Sequence, residues 1–132
     1  MHELGLAEGI LDIVRQYVTD AEAPRVHRVT VRIGDMAGVV ADSLDFCFGA
    51  MVAGTPFAGA QLVIQRVLAM CRCELCGESV PADPPVAVCP RCGETAMRLE
   101  SGAELQVTEV ELADLPGGAR ETQGALRKTM VT

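Results

Sequence analysis

Between Leu4 and Val18 the apolar side chains are Leu4, Ala7, Ile10, Leu11, Val14, Tyr17 and Val18, the i, i+3, i+4, i+7 series of one helix face. Glu8, Asp12, Arg15 and Gln16 fall opposite, so the spacing predicts an amphipathic helix ending before Asp20-Ala21-Glu22-Ala23-Pro24. The period then drops to two. Over Val26–Ile33, His27, Val29, Val31 and Ile33 share one side while Arg28, Thr30 and Arg32 share the other, which predicts a strand. Gly34 to Gly38 reads as a loop. Leu44, Cys47, Phe48, Met51 and Val52 mark a second helix starting near Asp42, whose carboxylate is placed to cap it, and stopped by Gly54-Thr55-Pro56. Strand character returns over Ala60–Ala69 and Glu104–Leu112. In the latter, the apolar parity changes between Val107 and Val110, which predicts a bulge or a change of facing partner.

The stretch between these last two strands carries the densest chemistry. It contains Cys73-Glu74-Leu75-Cys76-Gly77 and Cys89-Pro90-Arg91-Cys92-Gly93, with twelve residues separating Cys76 from Cys89. Two intervening residues let both thiolates of a tight turn face one ion, and the following glycine accepts positive φ at little cost. Two such knuckles make a four-sulfur set, the tetrahedral arrangement that structural Zn²⁺ prefers. Iron accepts the same thiolates, but no aromatic residue lies beyond Met70 to shield an iron centre. Closed by four thiolates, such a zinc has no open position for water and is structural.

The element order predicts an α+β fold: two helices packed on a three-stranded sheet, with a four-cysteine zinc-ribbon module inserted between two of the strands. Residues 1–69 plus 104–114 form the α+β domain in this reading and 70–103 the zinc-binding domain. The polar segment 115–132, opened by Pro116-Gly117-Gly118, reads as a flexible C-terminal tail.

Composition narrows the function classes. A net charge of −7 without a basic stripe opposes binding to nucleic acid or an anionic membrane. No run of about 18 apolar residues is present to span a bilayer, and the N-terminus lacks the pattern of a signal peptide. A cytoplasmic protein is expected, where six cysteines suit metal ligation better than disulfides. Aromatic residues make up only 3% of the chain, so Val, Leu, Ile, Ala and Met must build the core.

Met1-His2-Glu3 is the second candidate site. The bulky His2 disfavours removal of Met1, so the α-amine, the His2 backbone nitrogen and imidazole Nδ1 can chelate one ion through a five- and a six-membered ring. With the Glu3 backbone or carboxylate near the fourth position, this set suits Ni²⁺ or Cu²⁺. An α-amine with an ordinary pKa of about 7.7–8.0 and an imidazole near 6.5 make uptake proton-competitive. His27 reads as a partly buried or edge residue, Cys71 as a spare thiol beside the four-sulfur site, and Cys47 as packing. No Gly-x-Ser-x-Gly, phosphate loop or His-Glu-x-x-His occurs, so catalysis is not expected.

Met1-His2-Glu3, Gly34-Asp35 to Ser43-Leu44, the knuckles with Cys71-Arg72-Cys73-Glu74-Leu75-Cys76, and Gly102-Ala103-Glu104-Leu105 occur in that order. Together they resemble the HypA/HybF family of hydrogenase-maturation nickel metallochaperones over roughly residues 1–112. The resemblance implies His2 as nickel ligand, helped by the Met1 amine and Glu3, and structural zinc on Cys73, Cys76, Cys89 and Cys92. It also implies a HypB-type GTPase as partner and a [NiFe]-hydrogenase large-subunit precursor as recipient, with urease a further client of some relatives. Some family members carry histidines beside the zinc cysteines; this chain has none there. The rival readings are a zinc-ribbon protein-interaction adaptor with no transferable metal and a rubredoxin-like electron carrier.

Overall fold

The computed structural model describes residues 3–82 and 86–113 and the backbone of 125–129. The first helix, α1, runs over Glu3–Tyr17, and a 3₁₀ turn at Ala23–Arg25 leads into β1, Val26–Gly34. The second helix, α2 (Ala41–Val52), crosses over to β2 (Gln61–Val67), which pairs parallel with β1. Such a connection needs a long crossover rather than a hairpin, and α2 provides it. Three short strands follow: β3 (Met70–Cys73), β4 (Ser79–Pro81) and β5 (Met97–Ser101). The chain then returns as β6 (Leu105–Ala113), antiparallel to β1, and ends with β7 (Ala125–Thr129).

These strands form two sheets. One has the order β2-β1-β6-β7 and the other β4-β3-β5. Ala7, Ile10, Leu11 and Val14 of α1 join Leu44, Phe48 and Val52 of α2 in one core with Val29, Val31, Ile33, Val107 and Val110 of the larger sheet. Cys47 packs at the margin of this core. Ala69, Cys71 and Ala82 form a second, smaller core in the inserted module, with Val80 and Met97 packed against it. Cys71 is thus a buried packing residue of the module. The α+β architecture with two helices and an inserted four-cysteine module is therefore present.

Four features differ from the sequence reading. The larger sheet has four strands rather than three, because Ala125–Thr129, assigned above to a C-terminal tail, pairs with β6. The tail's other residues, 115–124 and 130–132, lie outside the described residues. The module also holds a three-stranded sheet of its own, where the reading had named only its cysteines. At the start of α2, Asp42 lies inside the first turn; the N-cap is Val40, whose side chain makes no capping bond. Finally, Leu4 and Tyr17, on the apolar side of α1 by spacing, are both exposed. They flank the turns that meet the core and extend past it.

The bulge is where the parity change put it. Thr30 pairs with Glu109 but Val31 with Val107, so Thr108 is the extra residue on β6. A second irregularity falls on β1, where Val26 pairs with Leu112 and Arg28 with Glu111, leaving His27 extra. This brings two consecutive side chains to one carboxylate: His27 Nε2 and Arg28 each lie 2.7 Å from Glu111 Oε1. Glu111 is buried, and the pairing answers the cost of burying its charge. His27 is half-buried, on the inner strand β1 rather than at a sheet edge.

The layer and the module meet backbone to backbone. A Cβ built on Gly34 would lie 1.9 Å from the Gly102 carbonyl oxygen. Gly102 itself has φ +113°, and a Cβ there would come within 2.5 Å of Ala69 Cα. Only glycine permits that approach and that conformation. Hydrogen bonds from Met36 N–H to Gly102 O (2.8 Å), Gly34 N–H to Glu104 O (2.8 Å) and Asp35 N–H to Val67 O (2.9 Å) secure the junction.

Candidate metal centre

The two knuckles fold alike because their sequences are alike. In the first, Gly77 N–H donates to Cys73 O at 2.9 Å and Cys73 N–H to Glu78 O at 2.8 Å. In the second, Gly93 N–H donates to Cys89 O and Cys89 N–H to Glu94 O at the same two distances. Gly77 and Gly93 adopt φ +83° and +78°, the left-handed conformation expected after each Cys-x-x-Cys. Cys73 ends β3, so the small sheet fixes one sulfur of the first turn. Glu78 in turn lies 3.6 Å from Arg91, an ion pair bridging the knuckles.

This geometry gathers Cys73, Cys76, Cys89 and Cys92, with all four Sγ atoms within 4.8 Å of one another. The Cys73–Cys92 and Cys76–Cys89 sulfur pairs are each 3.6 Å apart. A tetrahedral ion with sulfur bonds of about 2.3 Å requires sulfurs roughly 3.8 Å apart, so the donor set fits a metal such as zinc. It is the one group of three or more His, Cys, Asp or Glu able to hold an ion among the described residues. Cys71 is outside it.

The local electrostatics favour a cation at the centre. The Cys92 N–H, at 3.4 Å from Cys89 Sγ, together with the Arg91 N–H lowers the Cys89 thiol to about 7 against the opposing effect of burial. The Cys76 N–H does the same for Cys73, holding its thiol below the ordinary range. The other two move the opposite way. The Glu94 N–H lowers Cys92, but burial and the neighbouring cysteine sulfurs outweigh it and push the thiol up to about 12. Cys76 is raised by the same balance, with the Glu78 N–H lowering it and burial, Cys89 and Cys73 opposing. Each knuckle thus supplies one readily ionised and one resistant thiol. A divalent ion removes the resistance by replacing repulsion among thiolates with attraction.

Sequence reasoning singled out the four cysteines that the structure gathers. The turn-forming glycine after each pair also signals backbone N–H groups turned toward the sulfurs, and those of Arg91 and Cys92 lie 3.4 Å from Cys89 Sγ. Met1 and His2 of the terminal candidate lie outside the described residues. Glu3 is the first residue of α1, and its Oε2 accepts the Val40 N–H at 3.0 Å.

Comparison with known proteins adds the following. A family model described as hydrogenase/urease nickel incorporation, metallochaperone, HypA matches residues 1–112. The hydrogenase maturation factor HypA of Geobacter metallireducens is 40% identical over 112 residues, covering 85% of this chain and 99% of that protein. That of Chlorobaculum parvum is 37% identical with the same coverage. The solution structure of the nickel metallochaperone HypA from Helicobacter pylori superposes with a TM-score of 0.59 at 19% identity, covering 85% of this chain and 97% of that one. A second HypA solution structure gives 0.63 at the same identity, covering 85% and 96%.

Proposed function

The chain belongs to the HypA family of hydrogenase/urease nickel-incorporation metallochaperones, and from that premise we propose that it binds Ni²⁺ at its N-terminus and delivers it during [NiFe]-hydrogenase maturation. The ligands in this reading are the Met1 amine and the His2 backbone nitrogen and Nδ1, with Glu3 beside them. Cys73, Cys76, Cys89 and Cys92 hold a structural Zn²⁺ that is not transferred. The protein acts as a carrier rather than a catalyst. A HypB-type GTPase is its partner and the hydrogenase large-subunit precursor its recipient, in the cytoplasm. Among the described residues, no helix is long and apolar enough to cross a membrane.

The observation that carries this reading is the closed character of the four-thiolate cluster in a chain whose family match begins at residue 1. Four sulfurs leave no vacancy for exchange, so a transferable ion needs other donors. Nitrogen donors at a terminus suit that task, since they favour Ni²⁺ without the firm hold of thiolates.

Calorimetric titration of untagged protein with Ni²⁺, wild type against His2→Ala, tests the assignment. The expected result is loss of the nickel isotherm in the variant with zinc content unchanged. Equal stoichiometry and affinity in both would remove the nickel role assigned to His2, and no nickel isotherm in either would leave a zinc-ribbon adaptor with no transferable metal.

A further inference from the structure

The four sulfurs of the cluster differ in access. Cys73 and Cys89 are buried, Cys76 is intermediate and Cys92 is exposed. In the loaded set all four are thiolates, so access decides which of them a small oxidant meets first, and that sulfur is Cys92. Its neighbour at 3.6 Å is the buried Cys73, on the other knuckle. Closing that gap to a disulfide bond of about 2.05 Å moves each sulfur by less than about 1 Å. Cys76 and Cys89, also 3.6 Å apart, offer the same closure. The Glu78–Arg91 ion pair spans the two turns as well.

We propose that the cluster is a peroxide-responsive switch, in which oxidation exchanges the shared ion for two disulfides between the knuckles, Cys73–Cys92 and then Cys76–Cys89. The proposal rests on the structural-zinc reading above. The Cys92 thiolate attacks one oxygen of hydrogen peroxide and breaks the O–O bond, becoming a sulfenic acid and releasing hydroxide. The Cys73 thiolate then attacks the Cys92 sulfur, forms the S–S bond and expels a second hydroxide. Each sulfur gives up one electron, the peroxide gains two, and two protons from solvent convert both hydroxides to water. Only Cys76 and Cys89 remain as donors, too few to close a tetrahedral site. A second peroxide joins them in the same way. Both links cross from one knuckle to the other, so they restrain the turns in place of the ion. Zinc loss without oxidation removes that connection and opens the module.

The test adds hydrogen peroxide stepwise to the untagged, zinc-loaded full chain. A colorimetric zinc indicator and peptide mass mapping of quenched samples are the readouts. The first equivalent is expected to release about one zinc ion per chain and to yield the Cys73–Cys92 peptide pair. The second adds Cys76–Cys89. Amide protection across residues 70–100 should persist in the oxidised chain and be lost when zinc is chelated from reduced protein. Dithiothreitol with Zn²⁺ should restore the four thiols and the bound ion. A disulfide within either knuckle, a link to Cys47 or Cys71, or sulfinic acid without disulfide overturns the proposal and leaves the zinc reading standing. Protein that holds no zinc before oxidation, or keeps its module protected when reduced and zinc-free, removes the structural-zinc reading and the proposal together.

Discussion

The Sγ atoms of Cys73 and Cys92 stand 3.6 Å apart, so the first cysteine of one knuckle meets the second cysteine of the other. Cys76 and Cys89 repeat the relation at the same distance. Neither knuckle closes a site alone. Cys76→Ser or Cys89→Ser is therefore expected to reduce bound zinc from about one ion per chain to near zero and to unfold the module. The helices and larger sheet should persist, since their core is separate. Amide exchange across residues 70–100 checks this; protection retained there after zinc removal would contradict it.

Zinc affinity should depend on pH with a defined sign. The metal-free cluster holds protons, with Cys89 at about 7 and Cys92 at about 12, and the loaded cluster does not. Falling pH lets protons compete first at the raised thiols and then at Cys89. Apparent affinity should thus decline as pH falls, by about tenfold per unit for each proton displaced. Competition against a chelator of known affinity between about pH 6 and 8 measures the slope, and a flat profile would refute thiol displacement.

Phe46 and Phe48 are two residues apart on α2 and should respond oppositely. Phe48 is 1% exposed and Phe46 77%. Phe48→Ala should cost about 3–5 kcal/mol in denaturant unfolding through cavity formation. Phe46→Ala should shift stability by no more than about 0.5 kcal/mol. Comparable losses in the two variants would mean that Phe46 is covered in solution.

Glu111→Gln should destabilise the larger sheet. The change removes the charge that His27 and Arg28 both address at 2.7 Å. Because those two partners keep access to water, the loss should be about 1–3 kcal/mol rather than the full cost of an orphaned buried ion. Urea unfolding at neutral pH gives the number, and a neutral substitution would show that the cluster adds no net stability.

Removing residues 114–132 would strip β7 from β6 and leave a row of backbone donors and acceptors open. Unpaired edges invite pairing with another chain. The truncated protein should sediment as a larger species than the full chain at matched concentration. Identical sedimentation would show that the β6 edge is harmless.

How far the sequence could be read depended on whether the controlling interaction was local. The helices showed through the 3.6-residue period of Ile10, Leu11 and Val14, and β1 through the alternation of Val29, Val31 and Ile33, because each pattern reports one buried face. The bulge at Thr108 was visible since a parity change has few other causes. The four-cysteine cluster was plain from spacing, as both sulfurs of a knuckle lie within one turn. What remained hidden was set by distant partners. The α2 cap bonds to a carboxylate 37 residues earlier, and no pattern around Asp42 announces it. β7 carries Arg127 and Lys128 in five residues and lies beyond the matched residues 1–112, so nothing local marked it as a strand. All three strands of the module are short, and β4 and β5 are mostly exposed, which leaves weak apolar alternation.

The contact between Gly34 and Gly102 bears on what the junction tolerates. Where two main chains touch with nothing between them, there is no side chain to trim or reshuffle to make room. A side chain at either position would have to force the sulfur-lined lobe away from the helix-bearing layer.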